Sequence, residues 1–258
     1  MTPAPVIGYA VEGHVATITI NRPEARNAVN AEVAQGIEAA VDRIEADESV
    51  WVAIITGVPP VFCAGADLKV IAAGGIADLR TKRGGFGGFT ARERTKPFIA
   101  AVDGPALAGG TEIALACDMI VASTTSTFGL PEVKRSLVAA AGGLFRLPRR
   151  VPFNIAMELA LTGDALGAER AHHLGLVNYL CQPGEALVAA ADLARRVEAS
   201  APVAVRETRR VVLEAMTEDE ATGWRLSSAA MDRALASEDN REGLQAFIEK
   251  RPPNWSGR

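Results

Sequence analysis

Glu112 and Glu132 are the residues of this sequence best placed to do chemistry, because Glu112 follows a run of small residues that can bring backbone amides toward one place and Glu132 follows close behind in the chain. Glu112 belongs to Gly104 to Asp118, GPALAGGTEIALACD, and Glu132 ends FGLPE, Phe128 to Glu132. The Gly109-Gly110 pair opens an apolar helix, where the first N–H groups have no intrahelical partner and the helix end is positive. An acyl carbonyl oxygen that becomes enolate-like is stabilised by such donors. Glu112 is expected on the first turn of that helix. Glu132 is expected at the end of a short β-like run reached after one intervening strand, so both carboxylates can meet in one cleft. Two carboxylates around one water can act as acid and base. A second loop, Pro60 to Lys69, PVFCAGADLK, sets Gly65 and Ala66 just before a short helix beginning near Asp67. Loops at Ala66 and Gly109 can therefore supply two backbone donors to one carbonyl oxygen.

The elements that must hold these loops are legible from hydrophobic patterning. Val15 to Ile20, VATITI, is β-branched and bounded by Gly13 and Pro23, which reads as a strand. In Ala31 to Asp47, Val33, Ile37, Val41 and Ile44 recur at helical spacing, with Asn30 as N-cap. Trp51 to Thr56, WVAIIT, is a buried-strand run closed by Gly57, completing a strand–helix–strand unit. Ile99 to Val102 and Met119 to Ala122 add two buried strands around the helix of Glu112. The fold class is α/β. Between Ala72 and Thr90 a glycine-rich stretch with little apolar periodicity reads as a mobile loop near a site. After Val177 the pattern turns helical, with helices expected over 185–199, 203–215, 220–236 and 242–250. No fixed-period repeat or low-complexity linker separates this part from the rest.

At 258 residues the chain can bury a sizeable core. A net charge of −4 with scattered basic residues lacks the footprint of a nucleic-acid binder. The N-terminus has no basic region followed by an apolar core, so a signal peptide is not expected and a cytoplasmic location is. The most apolar stretch, Phe98 to Ala122, is interrupted by Asp103, Glu112 and Asp118, which argues for buried strand, turn and helix over a membrane span. Cys63, Cys117 and Cys181 are widely spaced without any CxxC, so free thiols are expected rather than a disulfide framework or a zinc site.

Four motifs in order, INRPEARNAV at Ile20 to Val29, FCAGADLK at Phe62 to Lys69, KPFIAAVDGPALAGGTEIALACD at Lys96 to Asp118, and FGLPE with AGGLFRLPR beyond it, resemble the enoyl-CoA hydratase/isomerase, or crotonase, superfamily over nearly the whole chain. The resemblance implies a crotonase-like ββα spiral core, taken as residues 1–196, and a C-terminal helical trimerisation region, 197–258. It implies that the N–H groups of Ala66 and Gly109 hold a thioester oxygen and that Glu112 and Glu132 are the two catalytic glutamates. Many relatives with isomerase activity keep only one, so the pair favours hydration of a 2-enoyl-CoA, with Glu112 orienting water as base and Glu132 as acid partner.

In relatives, the stretch matching Ala64 to Lys69, here including Asp67, Leu68 and Lys69, borders the adenine and pantetheine, and basic residues near Arg26 lie close to the phosphates. Phe247 and Lys250 match residues that reach the CoA of a neighbouring subunit, which implies homotrimers, often paired into hexamers. No cofactor is implied beyond the CoA of the substrate, and no metal. GGFGGFT at Gly84 to Thr90, LPEVK at Leu130 to Lys134 and the C-terminal ending are similar to carnitinyl-CoA dehydratase-type members. The segment SLVAAAGG, Ser136 to Gly143, departs from the family by lacking the proline of its turn, which changes turn rigidity beside the second glutamate. Alternatives to hydration are carnitinyl-CoA dehydration, double-bond isomerisation, and a non-catalytic acyl-CoA-binding protein.

His14, His172 and His173 have no metal-ligand partners at the right spacing. Cys63 has no identifiable base to activate it, and Ser123 and Ser126 lack a nucleophile elbow. Asp103 and Asp118 read as caps of turns or helices.

Overall fold

The computed structural model describes residues 5–258. β1 (Ile7–Glu12) and β2 (Val15–Ile20) form an antiparallel hairpin, followed by α1 (Ala31–Ala46) and β3 (Val52–Gly57), which runs parallel to β2. Asn30 caps α1 as expected, its side chain accepting a hydrogen bond from the Val33 N–H at 2.9 Å. The chain continues through α2 (Leu68–Ala72), the small hairpin β4 (Arg80–Thr81) and β5 (Gly85–Phe86), then β6 (Phe98–Val102), β7 (Pro105–Leu107) and α3 (Gly109–Ala116). Next come β8 (Met119–Ser123), β9 (Thr127–Gly129), α4 (Gly143–Arg146), α5 (Phe153–Thr162), β10 (Leu166–Gly167), α6 (Ala168–His173) and β11 (Tyr179–Cys181). α7 (Ala186–Glu198), α8 (Pro202–Ala215), α9 (Glu220–Ala236) and α10 (Glu238–Glu249) complete it.

The main sheet has the order β1-β2-β3-β6-β8-β11, parallel from β2 onward. Side chains alternate across a strand, so each strand feeds two cores. Val52 and Ile54 of β3, Ile99 of β6 and Val121 of β8 point to a layer closed by Ala190, Leu193 and Ala194 of α7. Ala53, Ile55, Ala100 and Ile120 point the other way, into the larger core with Val33, Ile37, Val41 and Ile44 of α1 and Ile113 of α3. Each buried Ile stabilises the fold by roughly 1.5–3 kcal/mol, which explains the near-continuous apolar runs of β3, β6 and β8.

A second sheet, β10-β9-β7, does the positioning. β7 runs directly into α3, and β9 runs directly into the turn that carries Glu132. Their parallel pairing, with Leu107 opposite Gly129, sets those two exits side by side.

Three expectations need correction. The strand before Glu132 is Thr127–Gly129, and Glu132 itself lies in the first turn of a 3-10 helix, Pro131–Arg135, because Pro131 sets a helix-compatible φ and cannot donate to a ladder. The glycine-rich stretch 72–90 holds a 3-10 turn, Ile76–Leu79, and the short hairpin β4-β5, with the rings of Phe86 and Phe89 buried, two aromatic anchors that its low periodicity concealed. α10 starts four residues earlier than 242, since Ser237 caps it by accepting from the Asn240 N–H at 3.0 Å. Residue 197, where the C-terminal region was expected to begin, falls in the last turn of α7.

The C-terminal helices are tied to the core through Arg209 of α8, whose Nε donates to both carboxylate oxygens of Asp118 at 3.0 Å. They leave Trp224, Leu244, Phe247 and Ile248 exposed. No helix among the described residues is long and apolar enough to cross a membrane.

Candidate active site

Val29 and Ala66 form an isolated parallel bridge, in which the Val29 N–H donates to Gly65 O at 2.8 Å and the Asp67 N–H donates to Val29 O at 2.9 Å. Successive amides of an extended chain point to opposite sides. The Ala66 N–H therefore faces away from Val29, toward a cleft of about 620 Å³ that Ala66 lines. The loop is held in place by Asn27, fully buried in the left-handed region at φ 54°. Its amide nitrogen donates to Val58 O and Val61 O at 2.8 and 2.6 Å, and its oxygen accepts from the Arg22 N–H at 2.9 Å. Asparagine tolerates this conformation better than most residues, which is the signal in PEARNAV that marks Asn27 as a hub.

Gly109 begins α3, so its N–H has no partner within the helix. It is aimed by Ala108, a non-glycine residue at φ 52°, ψ −126°. Such a backbone costs on the order of 1–3 kcal/mol, and it is held by the Ala108 N–H donating to Gly129 O at 2.8 Å and Ala108 O accepting from the Glu112 N–H at 3.1 Å. The two loops touch: a Cβ on Gly65, at φ 88°, would lie 2.9 Å from the Gly109 nitrogen and 2.7 Å from the Ala108 Cβ. A Cβ on Gly109 would lie 2.2 Å from the Phe86 ring, so the hairpin β4-β5 presses directly on this turn.

One turn into α3, Glu112 is buried. Its Oε1 accepts from the Ala141 N–H at 2.7 Å and the Gly143 N–H at 2.9 Å. Burial raises its pKa, while these two amides and the nearby Arg146 pull it down. The SLVAAAGG turn thus supplies the clamp on the first glutamate, a role that its missing proline did not suggest. Arg146 braces that turn, donating to Ala141 O at 3.3 Å and to Thr90 O at 2.7 Å. Burial pushes Glu132 up to about 7; a hydrogen bond from its own backbone N–H opposes this, and the Glu112 charge adds to it. Its Oε2 is buried without a hydrogen-bond partner among the described residues. Both carboxylates, Ala66 and Gly109 line the one cleft.

The residues expected to contact CoA divide. Arg26, Ala64, Asp67, Leu68 and Lys69 all line this cleft. The Asp67 carboxylate, however, is committed to the protein, accepting from Arg22 at 2.7 Å and from the Lys69 N–H at 3.0 Å. The Arg22 guanidinium holds it below the usual carboxylate range. Phe247 and Lys250 do not line the cleft of their own chain; Phe247 is 85% exposed at the end of α10. Arg22, Arg80 and Arg135 also line the cleft and were not singled out in the sequence.

The residues set aside stay apart from it. His14 stacks on Trp51 at 3.4 Å. Burial pushes the thiol of Cys63 up to about 12, which leaves it neutral. Ser123 and Ser126 bond each other at 2.9 Å, and Ser126 also bonds Val102 O and the Gly104 N–H. Asp103 accepts from the Gly184 N–H at 2.6 Å. Among the described residues no group of three His, Cys, Asp or Glu side chains is disposed to hold a metal ion.

The sequence profile of the enoyl-CoA hydratase/isomerase family matches residues 10–258. The chain is 37% identical over 252 residues to enoyl-CoA hydratase EchA19 of Mycobacterium tuberculosis, covering 95% of this chain and 94% of that one. It is 40% identical over 255 residues to carnitinyl-CoA dehydratase of Proteus mirabilis, covering 95% and 96%. The crystal structure of an enoyl-CoA hydratase from Mycobacterium tuberculosis superposes with a TM-score of 0.95 at 50% identity, covering 99% of this chain and 100% of that chain. With that coverage, and with the mixed sheet and C-terminal helices of this fold, the chain belongs to the enoyl-CoA hydratase/isomerase family of enzymes.

Proposed function

We propose that this enzyme reversibly adds water to a 2-enoyl-CoA thioester to give a 3-hydroxyacyl-CoA. The observation that carries the reading is that two glutamates, both with raised pKa, share one cleft with two backbone N–H groups that have no partner among the described residues. The thioester oxygen sits between the Ala66 and Gly109 amides. Removal of one such donor costs roughly 10²- to 10³-fold in kcat. Glu112, its Oε1 clamped by two amides, keeps the other oxygen to accept a proton from water as the new C3–O bond forms. The C2=C3 electron pair moves onto the thioester as an enolate, and Glu132 delivers a proton to C2 as the carbonyl reforms. A pKa of about 7 suits Glu132 to this, since near neutrality a large share of it carries the proton it must give. The proton on Glu112 returns to Glu132 through solvent before the next turnover.

The two carboxylates supply both proton steps and the two amides the charge stabilisation, so the reaction calls for no cofactor beyond the CoA carried by its substrate. In this reading Arg26 serves the CoA phosphates, with Ala64, Leu68 and Lys69 along the adenine and pantetheine. Phe247 at the end of α10 and Lys250 just after it, both exposed, serve a neighbouring subunit of a homotrimer or a hexamer built from two trimers.

The test is the loss of absorbance of crotonyl-CoA on mixing with the purified enzyme, with the product identified by mass, beside Glu112→Gln and Glu132→Gln. Water addition that falls about 10²- to 10⁴-fold in each variant is expected. Unchanged turnover in both would refute the two-glutamate mechanism, and a shifted double bond with no mass gain would replace hydration by isomerisation.

A further inference from the structure

Beside Glu132 lies a second cavity of about 320 Å³, which Ala66 does not line. It is walled by the SLVAAAGG turn, by Leu144 and Leu147, and by α5 through Ala156, Met157, Ala160 and Leu161. Glu132 is the one charged residue among the twelve that line it, and no aromatic ring is among them. Glu132 and Val138 line both this cavity and the catalytic cleft, so the two spaces share a wall and meet at the acid.

Resting on the proposed hydration, we infer that this cavity takes the tail of the acyl group and selects uncharged aliphatic chains of about six to ten carbons over short or cationic ones. The occupant follows from continuity and chemistry. With the thioester oxygen at Ala66 and Gly109 and C2 beside Glu132, the chain beyond C3 leaves the reacting atoms where the cavity opens. An apolar cavity of about 150 Å³ accommodates a benzene, so by proportion this one has room for about twelve close-packed carbons, and fewer of a flexible chain.

A tail ending in trimethylammonium, such as a carnitinyl group carries, cannot shed its charge. Burying it requires an aromatic face or a carboxylate. Glu132 is the only candidate, and it is engaged in the proton step. The 40% identity to a carnitinyl-CoA dehydratase therefore reflects the shared cleft rather than a shared tail. Ala160 and Met157 act as the specificity-determining residues, since their size sets the depth between α5 and the turn.

Two measurements separate this inference from the hydration on which it rests. The first is the Kd of saturated acyl-CoAs of four to sixteen carbons, which needs no turnover. Affinity is expected to rise about fourfold per buried methylene, reach a plateau near ten carbons, and gain nothing from a trimethylammonium end. The second is kcat/KM over the matching 2-enoyl-CoAs in wild type, Ala160→Phe and Met157→Ala. Ala160→Phe should lower the eight-carbon to four-carbon ratio at least tenfold, while Met157→Ala, at a half-open position whose loss the fold tolerates, should move the optimum to longer chains. A Kd independent of length in wild type overturns the inference even where crotonyl-CoA is hydrated. So does a result in which Ala160→Phe leaves the ratio intact and instead weakens self-assembly, because the occupant is then an apolar helix of a second copy. A Kd that falls with chain length in the absence of any turnover would keep the cavity assignment and overturn the hydration.

Discussion

Replacing Glu132 by glutamine should make the protein inactive and, above neutrality, more stable. Burial raises the Glu132 pKa to about 7 from an ordinary 4.5, so the fold prefers the protonated form. Below about pH 4 the carboxyl is protonated in folded and unfolded chains alike, and its contribution to stability is complete. As pH rises from 4.5 through 7 the unfolded chain ionises first, and the folded state loses ground until it ionises as well. At about 1.4 kcal/mol per pKa unit the unscreened loss is about 3.5 kcal/mol; with screening on the open side of this part-exposed residue it is on the order of 2 kcal/mol. Glutamine has the shape of the protonated acid and no titration. Glu132→Gln should therefore match wild type at pH 4 and exceed it at pH 8 by about 2 kcal/mol, a Tm difference of roughly 4–8 °C for a chain of this size. Thermal denaturation at the two pH values, at one protein concentration, reads this directly. Equal Tm values at pH 8, or a gain already present at pH 4, would refute the claim that Glu132 is held protonated by its surroundings.

The same titration gives a kinetic expectation: kcat of the wild type in the hydration direction should fall as pH rises through about 7, and a flat profile from pH 6 to 8.5 would count against Glu132 as the acid. Ala66→Pro deletes an amide that the Val29 bridge does not use, so saturated acyl-CoA binding should be weakened far less than kcat, which should drop about 10²- to 10³-fold; equal losses in both would mean that the loop itself had moved. Arg146→Gln removes a charge that lowers the Glu112 pKa and the brace between Thr90 and Ala141, so the acidic limb of the pH–rate profile should shift upward with little change in KM, and an unmoved limb would reduce Arg146 to a packing role. Gly109→Ala drives a Cβ to within 2.2 Å of the Phe86 ring, and the resulting shift should cost about 1–3 kcal/mol of stability and about 10²-fold in kcat; wild-type activity would show that the turn is not under pressure from the hairpin.

Local signals in the chain were sufficient wherever the cause was local. The spacing of Val33, Ile37, Val41 and Ile44 set α1, Asn30 its cap, and the apolar runs of β3, β6 and β8 the parallel sheet, because periodicity and burial act over a few neighbouring residues. The two glutamates and the two small-residue loops were legible too, since carboxylates in apolar surroundings and glycines at a helix start are informative in one dimension. What the linear order could not show is which segments meet. The pairing of Leu107 with Gly129 brings Glu112 and Glu132 to one cleft, although nineteen residues of helix, strand and turn lie between them.

The same holds for the clamp on Glu112. Its amides come from a turn 29 and 31 residues away, and backbone N–H groups leave no trace in residue identity. Tertiary structure also decided that the glycine-rich stretch holds a hairpin with Phe86 and Phe89 buried, that Asp67 serves Arg22, and that an apolar space opens beside Glu132. Residue types and short-range spacing determine which helices and strands form and which groups can exchange protons. How strongly a carboxyl holds its proton, and what its neighbouring space admits, depend on desolvation and on contacts between distant segments, and those exist only once the chain has folded.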